Sequence, residues 1–414
     1  MHILDMIGIL TTLTAAFAFI NYHVLHLQLT ISLMLQSLTF SVTLMLLLVF
    51  GIDTIKPAQL LLSNIDFNVL MLQGILSFLI FAGALFVKNE ELLNVKLDIA
   101  VYATAGVMIS MGVIGGLFLW GSNLLDLHIR PIYCFLFGAL ISPTDPVAVL
   151  PILRHHGIPD RLNAQIAGEA LFNDGIGIVL FLSLFSLIEA RDVHAGEILL
   201  LFLRETGGGL VFGALLGWLG YLMMKSIDNY QLEIIITLAM VSGGYSLAKN
   251  IEVSGPLAMV MAGLLIGGPG RRLAMSERTR ESLDRFWGFV EELLNSILFT
   301  LIGLEILAIV TRLNKVDVIA AAIAVPLVLL ARLLSVGAIS FFLRCRGELV
   351  PGTVPIMTWS GLRGGIPIAL ALSLPDVPER GTLLFATYAV VAFSILVQGT
   401  TLKHLAAWQR SGWI

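Results

Sequence analysis

Charge is what this sequence has least of. Asp, Glu, Lys and Arg make up 13% of its 414 residues, about half the share usual in a soluble domain. Against that scarcity stand 57% hydrophobic residues and a mean hydropathy of +0.94. Long apolar runs recur from end to end, which excludes an ordinary soluble domain and points to a polytopic membrane protein. The net charge is only −4 and no basic tract occurs, so no nucleic-acid partner is expected. Cysteine is nearly absent: Cys134 lies in an apolar span and Cys345 in a basic loop. That pair reads as two free thiols, which excludes a disulfide framework. The stretch "MHILDMIGILTTLTAAFAFINYHVL" lacks a basic n-region and a cleavage site, so it reads as a retained first span. No tail or extra domain is long enough to fold alone.

What is present is a series of hydrophobic runs. A helix needs about 20 mostly apolar residues to cross the hydrocarbon core. That rule gives thirteen spans, near 3–22, 28–50, 66–87, 97–120, 131–153, 162–188, 197–223, 231–248, 254–268, 287–311, 317–343, 352–374 and 382–402. The strongest soluble-looking stretch is "GGPGRRLAMSERTRESLDR", between the ninth and tenth. With the N-terminus outside, the inner loops and C-terminal tail carry fourteen Lys and Arg and the outer loops seven. The excess of positive charge inside predicts an external N-terminus and a cytoplasmic C-terminus.

Once the loops are set aside, Asp145, Glu169, Asp174, Arg332 and Arg363 remain near mid-span, with Glu305 closer to the end of its own. Each costs roughly 2.5–3.5 kcal/mol at a helix centre, so each needs a partner, water or an ion. In "GEALFNDG", Glu169 and Asn173 are four residues apart and share a helix face. Asp174 lies about 100° round from Asn173, free to face a different cavity. Ion pairing that merely holds helices together accounts well for Glu169 and Arg332, and poorly for Asp174.

Two spans carry interruptions. In "GALISPTDPVAVLPIL" the prolines Pro143 and Pro146 each lack an N–H and clash with the preceding turn, so a continuous helix is not expected. The freed carbonyls and the carboxylate of Asp145 lie at one depth, an oxygen set suited to a small hard cation. In "TWSGLRGGIPIALAL", Gly361, Gly364, Gly365 and Pro367 loosen the twelfth span around Arg363. If spans 1–6 and 8–13 are two repeats, the fifth and twelfth are equivalent. Paired interrupted helices in matching halves mark a transporter's binding site, because irregular backbone at that depth must line a cavity or lie inside protein.

"SPTDPVAV", "GEALFNDG" and "WSGLRGG", in this order and spacing, resemble the monovalent cation/proton antiporters of the NhaP and NHE branch. Over essentially the whole chain, the resemblance implies an all-α fold of about thirteen transmembrane helices. Two inverted repeats would cross at unwound helices, spans 5 and 12. It implies a homodimer whose protomers divide into dimerisation helices at 1–95 and 191–315 and a mobile core at 96–190 and 316–414. It implies sodium/proton exchange in a prokaryotic plasma membrane, with lithium or potassium in place of sodium as the alternative, and no cofactor. Three mid-span acids against two arginines leave one charge for a monovalent cation or a proton, so the exchange is expected to be electroneutral and one for one. By similarity, Asp174 binds cation and proton in turn, with Asp145, Thr144 and Asn173 beside it. Asn173 stands where the electrogenic branch has a second aspartate. Glu169 would pair with Arg332 in "LLARLLSV", and Arg363 would pack near the "TD" and "ND" residues.

The sequence departs from many relatives twice, with Ala82 in "FAG" where an acid is common and Ala170 where serine is common. Both replacements remove an oxygen that a cation could use. Two other classes fit less well. An intramembrane aspartyl protease also pairs two buried aspartates, but it would want a "GxGD" pattern and no arginine counter-charges, so no enzymatic activity is expected. A passive cation channel would build its filter by symmetry around a pore, whereas these groups fall within one chain.

Overall fold

Within lipid, backbone N–H and C=O groups must bond to each other, and unbroken apolar runs do so as helices. A computed structural model of the chain describes residues 3–50, 74–87, 92, 95–147, 149–189, 195–310, 314–344, 350–375 and 377–411. Among these, every regular element is helical. The helices are α1 (Ile3–Ile20), α2 (Leu29–Val49), α3 (Leu76–Phe86) and α4, which runs Lys96–Val101, passes a π turn and continues over Val107–Leu124. Next come α5a (Pro131–Ile141), α5b (Leu150–His155), α6 (Asp160–Glu189), α7 (Ala195–Lys225), α8 (Tyr230–Asn250) and α9 (Gly255–Leu265). The last are α10 (Glu277–Val310), α11 (Lys315–Arg344), α12a (Thr353–Trp359), α12b (Ile366–Leu372) and α13 (Glu379–Phe393), which continues through a π turn into Gly399–Ser411. Among the described residues, eight helices are long and apolar enough to cross a membrane, and α3 and α5a are shorter apolar helices. The beginning of the expected third span, 66–73, and Cys345 lie outside the described residues.

One expectation needs correcting. The tenth helix begins at Glu277, ten residues before the apolar run, so "ERTRESLDR" is helix and not loop. Ser276 caps it, its hydroxyl accepting from the Thr279 amide at 3.4 Å. Arg285 reaches Glu281 one turn back at 3.2 Å, a spacing that supports an exposed helical face. Charge hides this segment from a hydropathy reading while leaving its helical propensity intact.

The closest packing falls within two sets. The first joins α4, α5a, α6, α11 and α13, and the second joins α2, α3, α7, α8, α9 and α10. Small residues allow the approach, as between transmembrane helices generally. A Cβ on Gly213 of α7 would strike the backbone of Ala258 on α9, and one on Gly138 of α5a would strike the Met111 carbonyl on α4.

Candidate functional site

Both expected interruptions are present, and they lie against each other. Helix stops at Ile141 and resumes at Leu150 in one span, and stops at Trp359 and resumes at Ile366 in the other. The backbones meet directly, the Asp145 amide donating to the Leu362 carbonyl at 2.8 Å.

A helix end leaves carbonyls without partners, and each break settles this with a guanidinium. The Ser142 carbonyl would pair with the amide of residue 146, which is proline. The Pro143 carbonyl would pair with the Val147 amide, which instead donates to Asp145 Oδ1 at 2.9 Å. Arg363 fills both vacancies, donating to the Ser142 carbonyl and to Pro143 at 2.6 Å. Its own amide donates to Ser394 Oγ at 2.9 Å, in the π turn of α13. At the end of α12a, Arg332 donates to the Met357 carbonyl from Nε at 3.3 Å and Nη2 at 3.2 Å. A cation at a helix C-terminus also opposes the negative end of the helix dipole. These carbonyls, expected from sequence to serve a cation, are therefore occupied by arginine.

Arg332 also grips Glu169 at two points, 2.5 and 2.9 Å. The residues are 5% and 1% exposed, so the pair is fully desolvated, and bidentate geometry is the strong form of this interaction. One turn along the same face of α6, Asn173 holds Thr144, its Nδ2 donating to Oγ1 at 2.8 Å and its Oδ1 accepting from the Thr144 amide at 3.3 Å. Asn173 is wholly buried, behind the cavity wall and not on it.

Asp174, turned away from Asn173, faces a cavity of about 500 Å³. Asp145, Thr144 and Ala170 line the same space, which extends past Asn163 to Arg154 and Asp160. Among the described residues, neither carboxylate oxygen of Asp174 accepts a hydrogen bond. Two carboxylates thus look into one cavity while both buried arginines are committed elsewhere. Like charges so placed repel, which favours a bound cation or proton. Glycine permits the arrangement at two points: a Cβ on Gly177 of α6 would strike Pro143, and one on Gly364 would strike the Asp145 carboxylate.

Residues 9–408 match the family described as "Sodium/hydrogen exchanger, transmembrane". The chain belongs to the sodium/hydrogen exchanger family. It is 45% identical over 410 residues to the Na(+)/H(+) antiporter NhaP of Pseudomonas aeruginosa, covering 97% of this chain and 96% of that one. It is 38% identical over 285 residues to the Na(+)/H(+) antiporter NhaG of Bacillus atrophaeus, 67% of this chain and 53% of that one. Its fold matches the solved sodium proton antiporter MjNhaP1 of Methanocaldococcus jannaschii at pH 8, with a TM-score of 0.77 over 98% of this chain and 99% of that one, at 20% identity.

Within this exchanger fold, the structure brings all seven expected site residues to the two adjoining breaks but divides their positions. Thr144, Asp145 and Asp174 face the cavity. Asn173, Glu169, Arg332 and Arg363 are buried around the breaks. Glu305, the sixth and weaker of the ionisable groups, is 8% exposed on α10 and is not among the residues that line the cavity. Ala82 does not line it either, being fully buried within α3. A sequence reading misses Glu291 and Asn295 of α10, which do line it. The available signal was the run Trp287, Glu291 and Asn295 at steps of four, a single helical face at the start of the expected tenth span.

Proposed function

We propose that this chain exchanges a monovalent cation, sodium in the first place, for a proton across a prokaryotic plasma membrane by alternating access. One observation carries the reading: Asp145 and Asp174 face a shared cavity, and among the described residues neither forms an ion pair with an arginine. Deprotonated, Asp174 holds the cation with Asp145 and the oxygen of Thr144. Protonated, it releases the cation and returns. Either substrate removes the repulsion between the carboxylates, so the core crosses loaded and stays put when empty. Sodium is the substrate named for the antiporters of P. aeruginosa and B. atrophaeus, which supports the choice over potassium.

The moving unit is α4–α6 with α11–α13, sliding against α1–α3 and α7–α10, and the second set forms a homodimer. Positive charge in the loops favours an external N-terminus. On that orientation the end of the cavity at Arg154 and Asp160 faces the cytoplasm. The stoichiometry is one cation for one proton. The test is exchange in proteoliposomes holding the purified chain, scanned over sodium, lithium, potassium and pH. Uphill sodium movement driven by a proton gradient is expected. Flux that only runs down the sodium gradient would indicate a channel and overturn the reading.

A further inference from the structure

The cavity has an acid that neither break supplies. On α10, Trp287, Glu291 and Asn295 are spaced by four and share one helix face, and that face is fixed at both ends. Trp287 is wholly buried, its indole N–H donating to Thr237 on α8 at 3.0 Å and its ring 4.8 Å from Phe81 on α3. Beyond Asn295, Leu298 abuts Gly365 in the second break. Between these anchors, Glu291 and Asn295 face the cavity. Asn295 is 4% exposed, yet its amide makes no hydrogen bond among the described residues. Glu291 makes no ion pair there either, although Arg154 lines the same cavity. Glu291 is half-buried and the Asn295 side chain opens on the cavity, so both polar groups are left to whatever occupies that space.

We propose that Glu291 and Asn295 form a loading subsite for the monovalent cation on the α10 wall, upstream of Asp174. The carboxylate concentrates cations in the cavity by focusing field between low-dielectric walls. The amide oxygen offers a neutral ligand to a cation partly stripped of water. Because the subsite stands on the wall that stays still, it assists capture and takes no part in the crossing. It also places an acid in the cavity of a chain whose third span has alanine at position 82.

This inference rests on the exchange proposed above, and the experiment separates the two. Sodium/proton exchange is measured in proteoliposomes against sodium concentration for the wild type, Glu291→Gln, Glu291→Asp and Asn295→Ala. Capture without a role in crossing predicts that KM for sodium rises about 3- to 10-fold in Glu291→Gln, the scale of one charge acting across a partly wet cavity. The maximal rate should stay within about twofold, the signature of lost ground-state capture. Glu291→Asp should bring KM back to within about twofold of the wild type, because the charge is restored. Asn295→Ala should raise KM in the same direction. A wild type without exchange would sink the function itself. A wild type that exchanges, with KM unchanged in both Glu291→Gln and Asn295→Ala, would overturn only the subsite. So would a fall in maximal rate at constant KM.

Discussion

Asn173 holds Thr144 at two points, donating to its hydroxyl at 2.8 Å and accepting from its amide at 3.3 Å. The α6 helix is thereby tied to the first break, one residue before the carboxylate that faces the cavity. Asn173→Ala would leave a buried amide and a buried hydroxyl short of partners, at roughly 1–3 kcal/mol for each group left unsatisfied. We expect a lower melting temperature in detergent and slower exchange. Melting and rate equal to the wild type would show that the tie does not hold the break.

Glu169 and Arg332 are expected to act on stability more than on transport. Removing one partner of a buried pair leaves an uncompensated charge, typically costing about 3–5 kcal/mol. Arg332 also caps the Met357 carbonyl, so Arg332→Ala should be the worse of the two single variants. The double variant should be less damaged than the sum of the singles, because the second removal deletes the orphaned charge. Strict additivity of the two melting shifts would argue against direct coupling.

The crossing also depends on missing side chains. A methyl on Gly177 would strike Pro143 in the first break, whereas nothing lies within 4 Å of the same methyl on Gly243 of α8. Gly177→Ala should destabilise by about 1–3 kcal/mol, the usual cost of overpacking. Gly243→Ala should be neutral or slightly stabilising, since alanine is favoured over glycine inside a helix by about 1 kcal/mol. Equal thermal shifts for the two would contradict the close approach at Pro143.

How much of this was legible in the sequence follows from what a charge or an imide costs in lipid. Asp145, Glu169, Asp174, Arg332 and Arg363 stand out because each is expensive inside an apolar run. The breaks stand out because proline and clustered glycine cannot sustain a helix. The Ser142 and Pro143 carbonyls carry no such mark, since every residue has a carbonyl, so the assignment of Arg363 to them needed the fold. Glu291 was invisible for the opposite reason. It falls inside the expected tenth span, 287–311, but only four residues from its start, where a charge can reach water and stands out little. Spacing puts Asn173 on the face of Glu169, and the family resemblance puts it beside the cation, but neither distinguishes the cavity wall from the layer behind it, where Asn173 lies.

Asp174 should be indispensable to exchange. Its carboxylate must be ionised to hold a cation and must accept a proton on the return. Asp174→Asn keeps the shape and removes the titration. The side chain faces a cavity and makes no hydrogen bond among the described residues, so folding should survive. We expect a normal yield and melting temperature with no sodium-driven proton movement. Exchange at the wild-type rate would remove Asp174 from the mechanism.

The exchange should be electroneutral, and the argument is a count over the part that moves. At the crossing, Asp145, Glu169 and Asp174 supply three negative charges when ionised, and Arg332 and Arg363 supply two positive ones. Arginine does not lose its proton at working pH. One negative charge is left over, enough for one monovalent cation or one proton. Farther along the cavity Asp160 and Arg154 cancel each other, which leaves Glu291 and Glu305 as the acids that could upset this sum. Both lie on α10, which packs against α2 and α3 and belongs to the set proposed to stay still. A charge that does not move with the core adds nothing to the charge carried across the potential. Asn173 matters for the same reason, because aspartate there would ride with the core and titrate. The loaded core is therefore neutral with either substrate, and the membrane potential should not shift the balance between gradients. The check is sodium/proton exchange in liposomes whose voltage is clamped by potassium and valinomycin. At a fixed proton gradient, the equilibrium sodium gradient should be the same at every imposed potential. If it follows the potential instead, the count is wrong, and the same measurement on Glu291→Gln and Glu305→Gln would show whether α10 carries its acids along.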